Sequence, residues 1–180
     1  FRNYWEFAGG ALADMGAHHF DIAQWAMRRD DSGPVRIMPP ADGALTGLEF
    51  IYDDGVRMIH GGPSGCTFEG TEGKLYVDRG ELSSEPESIL ETPLLDTDPR
   101  VYHSEHHHRN WIECIRSRQL PICDVEIGHR SASICHLANI AYRLGRALEW
   151  DPATERFAND DGANELLSIE PRAPWSYDLG

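Results

Sequence analysis

No apolar run in this sequence approaches the ~20 residues that a membrane-spanning helix needs, and no signal peptide is visible at its N-terminal end. Basic residues are scarce. Sixteen Lys and Arg face 30 Asp and Glu, a net charge of -14, which argues against nucleic acid or an anionic membrane as a partner and favours a neutral substrate. Cysteine is sparse too: Cys66, Cys114, Cys123 and Cys135 are scattered, with no C-x-x-C pair. Neither a zinc knuckle nor a disulfide framework is indicated, and four small buried hydrophobes in a reducing cytoplasm are expected.

What is present is concentrated near the start, in Gly9-Gly10-Ala11-Leu12-Ala13-Asp14-Met15-Gly16-Ala17-His18-His19-Phe20-Asp21. A glycine pair can open a helix, and on one continuous helix Asp14 and His18 stack at i,i+4, with Asp21 and Trp25 continuing the stripe. Leu12, Met15, His19, Ile22 and Ala26 form the other stripe and are expected to face the core. Imidazole exchanges protons near neutral pH, and a neighbouring carboxylate fixes its orientation, so the pair suits acid/base work. An ordinary surface ion pair has the same spacing. Gly16 inside that helix costs about 1 kcal/mol relative to Ala, which implies that a ligand or a strand packs against its bare backbone.

The rest reads as strands and then helices. The first helix is expected to end near Arg28, before Asp30-Asp31-Ser32-Gly33-Pro34. Strands are predicted at 35–38, 45–52, 56–60, 66–69 and 74–78, with Asp53-Asp54-Gly55 as a hairpin turn. The acidic, proline-containing segment 81–100 is predicted to be a loop. A helix from Ser104 to Ser117 is expected to bury Trp111, Ile112 and Ile115 with Ser104 as N-cap; a second spans about 127–146 and packs Ile127, Ile134, Leu137, Ala138, Ala141 and Leu144 on the sheet. A short strand at 147–150, a helix at 160–168 and an extended arm at 171–180 complete the chain. The fold class is α+β: a mostly antiparallel open sheet with helices on one face and the other face free for a partner. The chain length suits a single domain.

His103, His106, His107 and His108 raise the question of a metal. Consecutive residues of a helix point in different directions, so a polar helix start, one member of which reaches a cleft, is the preferred reading and no metal is assigned. His129 and His136 are expected to be satisfied core or interface groups, and Arg130 to meet a substrate hydroxyl or a buried carboxylate.

The stretch from Gly9 to Asp21 resembles the G-G-x-x-x-D-x-G-x-H-x-x-D signature of the glucose-fructose oxidoreductase / inositol dehydrogenase (Gfo/Idh/MocA) family. Asn110-Trp111-Ile112-Glu113-Cys114-Ile115-Arg116-Ser117 and Asp124-Val125-Glu126-Ile127-Gly128-His129-Arg130-Ser131 resemble the same family in the same order. Members pair an N-terminal Rossmann domain for NAD or NADP with a C-terminal substrate-binding domain, and this chain resembles only the second. It has no G-x-G-x-x-G turn and no E-K-P segment, whose lysine joins the family's catalytic group. It also has no initiator Met and is expected to be one domain of a longer protein.

The resemblance implies the catalytic and substrate-binding half of an NAD(P)-dependent oxidoreductase acting on a sugar, cyclic polyol or glycoside. His18 would be the general acid/base and Asp14 its orienting partner. His19, Arg2 and Trp5 lie beside them in the sequence and would contact substrate, the aromatic ring against a sugar's apolar face. Homodimers or homotetramers through the open sheet face are implied as well. Two alternatives stand: a non-redox sugar-binding or assembly module of the same fold, and a metal-assisted hydrolase or lyase built on the 103–108 histidines.

Overall fold

The computed structural model describes residues 1–177. In chain order the elements are α1 (Gly10–Asp14), α2 (Gly16–Ala26), β1 (Arg36–Met38), β2 (Glu49–Ile51), β3 (Arg57–Ile59), β4 (Cys66–Gly70), β5 (Gly73–Asp78), β6 (Glu81–Glu85), α3 (Ser88–Glu91), α4 (His107–Ser117), α5 (Val125–Leu144), β7 (Leu148–Asp151), β8 (Arg156–Phe157) and α6 (Asp161–Asn164). A 3-10 turn, Glu165–Leu167, follows α6. The fold is α+β and every strand pairing is antiparallel, but the strands form two sheets instead of the one expected. Two compact units divide them: Phe1–Ala17, Ser32–Gly61 and Ala132–Gly180 make the first, and His18–Asp31 and Gly62–Ser131 the second.

The first unit holds a five-stranded sheet in the order β3-β2-β1-β7-β8. Its β2–β3 hairpin turns at Asp53-Asp54-Gly55 as predicted, with Gly55 at φ +86° and the Asp54 carboxylate accepting from the Val56 N–H at 3.1 Å. Alternation along the strands buries Ile37, Phe50, Leu148, Trp150 and Phe157 on one face. The other face carries charge, with Arg57 bound to Glu49 at 2.6 Å and Arg36 to Glu149 at 3.1 Å. The core of the unit is completed by Ile134, Cys135, Leu137, Ala138, Ile140 and Ala141 of α5, all buried. This helix also locks the hairpin: the Tyr142 hydroxyl accepts from the Leu48 N–H at 3.4 Å and lies 2.7 Å from His60 Nδ1.

On the far side of the sheet, the Asn164 side chain treats Phe157 as a strand partner would. Its Nδ2 donates to the Phe157 carbonyl and its Oδ1 accepts from the Phe157 N–H, both at 2.9 Å. Asp160 starts α6 by accepting from the Ala163 N–H at 3.1 Å. The predicted C-terminal arm is irregular: Tyr177 folds back to donate to the Ile169 carbonyl at 3.1 Å, and Trp175 and Tyr177 are both exposed. The last three positions of that arm lie outside the described residues.

In the second unit β4, β5 and β6 form a meander. Gly73 sits where only glycine fits, at φ +147°, because a Cβ there would lie 2.9 Å from Pro86 Cδ and against the Glu85 carbonyl. The segment 81–100 is therefore not wholly loop, since β6 pairs with β5 and α3 follows. The α4 reading is corrected as well. Trp111, Ile112 and Ile115 are exposed, and the helix instead buries Asn110 and Cys114. The reason is the Asn110 amide, which accepts from the Ile122 N–H at 2.9 Å and donates to the Tyr102 hydroxyl. Turning 110 and 114 inward turns the apolar trio outward. Nor does Ser104 cap α4, which has His106 at its N-cap with no side-chain hydrogen bond.

Candidate functional site

The glycine pair opens a helix, as predicted, but not the long one. Gly9 is the N-cap of α1, Gly10 follows at φ +62°, and α1 stops after five residues at Asp14. Met15 stands between it and α2, which restarts at Gly16. Glycine is a poor helix residue, and here it opens a new segment instead of being carried inside one. His18 thus lies in the first turn of α2 and Asp14 at the end of α1, with Met15 between them in right-handed helical conformation. The apolar stripe expected from one helix also fails. Met15 is exposed, and α2 buries Phe20, Ala23 and Gln24 instead.

Three of the predicted site residues belong to the first unit. Arg2 Nη1 lies 3.3 Å from Asp14 Oδ2, with both side chains accessible to solvent. Trp5 is capped on one face by Arg143, whose guanidinium carbon is 4.6 Å from the ring centroid, a cation–π contact. Tyr4 and Phe7 pack edge to face at 6.3 Å. Between Trp5 and Asp14, the Asn139 Nδ2 donates to the Gly9 carbonyl at 2.8 Å. Gly9 leaves room for this approach. A Cβ there would stand 3.1 Å from Asn139 Nδ2 and 3.4 Å from His136 Cε1, and would press on Ala13. The residues that sequence reasoning missed are Asn139 and Arg143. Their only signal is polar character at i,i+4 in the apolar second half of α5.

His18 and His19 belong to the second unit. His18 is exposed, and its side chain has no hydrogen-bond or ion-pair partner among the described residues. His19 is engaged: its Nε2 lies 3.9 Å from Asp78 Oδ1, and its carbonyl accepts from Cys66 Sγ at 3.2 Å. The Arg79 N–H and then the Ser64 hydroxyl hold the Asp78 carboxyl below the usual range, with His19 adding to them. Asp21, the last residue of the motif, accepts from the Ser131 hydroxyl at 2.6 Å. Burial, and then the neighbouring Asp21, raise the pKa of Asp30.

The histidines of 103–108 make no ligand set. His107 and His108 lie ring to ring at 4.0 Å, His103 reaches only the exposed Glu105 at 3.7 Å, and no metal-binding group of three or more His, Cys, Asp or Glu exists among the described residues. His129 and His136 are exposed, so neither is a core group. Arg130 pairs with Glu126 one turn away at 2.7 Å.

A nicotinamide dinucleotide does not fit what is here. Its usual cradle is a glycine-rich turn between parallel strand and helix, whereas the described sheets are wholly antiparallel and the chain has no such turn. No described helix is long and apolar enough to cross a membrane.

No curated protein and no solved structure matches this chain. A family model does, described as the oxidoreductase family, C-terminal alpha/beta domain, and it covers residues 1–177. With that match running from the aromatic N-terminal segment through both sheets to the tail, the chain belongs to the Gfo/Idh/MocA oxidoreductase family as its C-terminal domain.

Proposed function

We propose that this chain is the substrate-binding half of an NAD- or NADP-dependent oxidoreductase acting on a sugar, a cyclic polyol or a glycoside. The observation that carries the reading is the motif from Gly9 to Asp21 inside the family match, with the side chains of Asp14 and His18 both open to solvent. The dinucleotide belongs to residues outside this chain, which is left with binding, orientation and proton handling. His18 takes the proton of the substrate hydroxyl. Asp14, with Arg2 beside it, holds the hydroxyls, and the exposed part of Trp5 offers an apolar surface to the ring. His19, 3.9 Å from Asp78, contacts substrate.

The test is turnover in the full-length protein that contains this chain, followed by nicotinamide absorbance across a panel of sugars and polyols. His18→Ala is expected to lower turnover by about 100-fold while leaving nicotinamide affinity unchanged. Undiminished turnover would remove His18 from the mechanism. The second reading, a non-redox sugar-binding module, is favoured by the lack of a dinucleotide cradle in this chain, and it predicts tight sugar binding with no turnover in any context. We also propose that copies associate through the charged face of the five-stranded sheet, where Ile59 is exposed between the hairpin's ion pair and solvent.

A further inference from the structure

Helix α1 has little of its own to hold it. It is five residues long, its N-cap is a glycine with no side chain, and none of its residues is buried. Isolated helices shorter than about 12 residues are marginal in water. Yet α1 carries Asp14, and a group that orients a substrate hydroxyl must be held to a fraction of an ångström.

Among the described residues, two polar side-chain contacts restrain α1 and its N-cap. The Arg2–Asp14 pair is exposed on both sides, and an ion pair of that kind is weak and easily screened. The other is the hydrogen bond from Asn139 Nδ2 to the Gly9 carbonyl at 2.8 Å. That carbonyl is also the acceptor of the first helical bond, from the Ala13 N–H, which is long at 3.4 Å. The shorter bond therefore comes from outside the helix. Its donor sits on α5 between the buried Ala138 and Ile140, so it is anchored in the core of the unit. Gly9 completes the fit, because any side chain there would collide with Ala13 and crowd Asn139. One turn further along α5, Arg143 covers Trp5.

We propose that Asn139 is a positioning residue for Asp14: by holding the Gly9 carbonyl it fixes where α1 begins and so where the substrate-gripping carboxylate stands. The proposal rests on the oxidoreductase reading above. It assigns Asn139 no contact with substrate and no role in proton transfer.

Asn139→Asp keeps the size of the side chain and replaces the donor with an acceptor facing a carbonyl; Asn139→Ala removes the donor without repulsion. In the full-length protein, hydrogen exchange at the amides of 13–15 is expected to quicken at least tenfold in both variants. Exchange in β4, β5 and β6 should stay unchanged. With the panel sugar or polyol that the unaltered protein oxidises fastest, KM is expected to rise about tenfold, with kcat changed less than threefold and KM for nicotinamide unmoved. Unaltered exchange at 13–15 in a folded variant overturns the proposal, as does quickening spread equally over both units. So does an unchanged sugar KM. A protein that oxidises no panel member, yet loosens at 13–15 in both variants, overturns the oxidoreductase reading while leaving the hold of Asn139 on α1 intact.

Discussion

His60 was legible in the sequence only as the end of a predicted strand, because its partner, Tyr142, lies 82 positions away. The Tyr142 hydroxyl accepts from the Leu48 N–H and lies 2.7 Å from His60 Nδ1, a contact in which either group can be the donor. Burial pushes the pKa of His60 down from 6.5. The folded protein thus binds this proton more weakly than the unfolded chain, and His60 opposes folding increasingly as pH falls through the ordinary histidine range. Depressed carboxylates such as Asp78, Asp151 and Asp160 lose their contribution at lower pH, as they are protonated. Comparison with His60→Gln separates the two effects. Between pH 7 and 5 the unaltered protein should lose thermal stability more steeply than the variant; parallel curves would show that His60 is not linked to folding. The candidate site divides in the same way. Asp14, His18, Arg2 and Trp5 could be read from one short segment, whereas Asn139, Arg143 and Asp78 act on it from far along the chain.

Helix α5 was the most readable element, because its apolar positions recur with helical period; the structure buries Ile134, Leu137, Ala138 and Ala141, and leaves Ile127 and Leu144 near its ends half-buried. Leu137 is 2% exposed, so Leu137→Ala is expected to cost about 2–5 kcal/mol in denaturant unfolding. A cost under about 1 kcal/mol would mean that the site refills without a cavity. Helix α4 misled for a reason that periodicity cannot convey. One buried amide, Asn110, faces in and is paired there with the Tyr102 hydroxyl and the Ile122 N–H, partners that no apolar period announces. The first helix misled differently: the hydrophobic pattern runs on through Gly16, whereas the helix is interrupted at Met15 just before it.

Antiparallel strands and their turns were evident at the scale of the whole chain, but their division into two sheets was not. Strand pairing across long sequence separations, such as β1 with β7, leaves no local mark. Subunit association, if it runs through the charged face of the larger sheet, should be visible by sedimentation. Ile59→Arg is expected to shift the protein to monomers, and an unaltered protein that sediments as a monomer at micromolar concentration would remove the proposal.

The bond pattern between Asn164 and Phe157 bears on such assemblies in another way. A sheet with two open ends can, in principle, add its own copies head to tail without limit, since the last strand of one molecule can accept the first of the next. Here a side-chain amide already occupies the outward N–H and C=O of Phe157 on β8, the end strand. Whatever joins at the β3 end therefore finds no second socket on the same molecule, and strand addition stops at a pair instead of growing into a fibre.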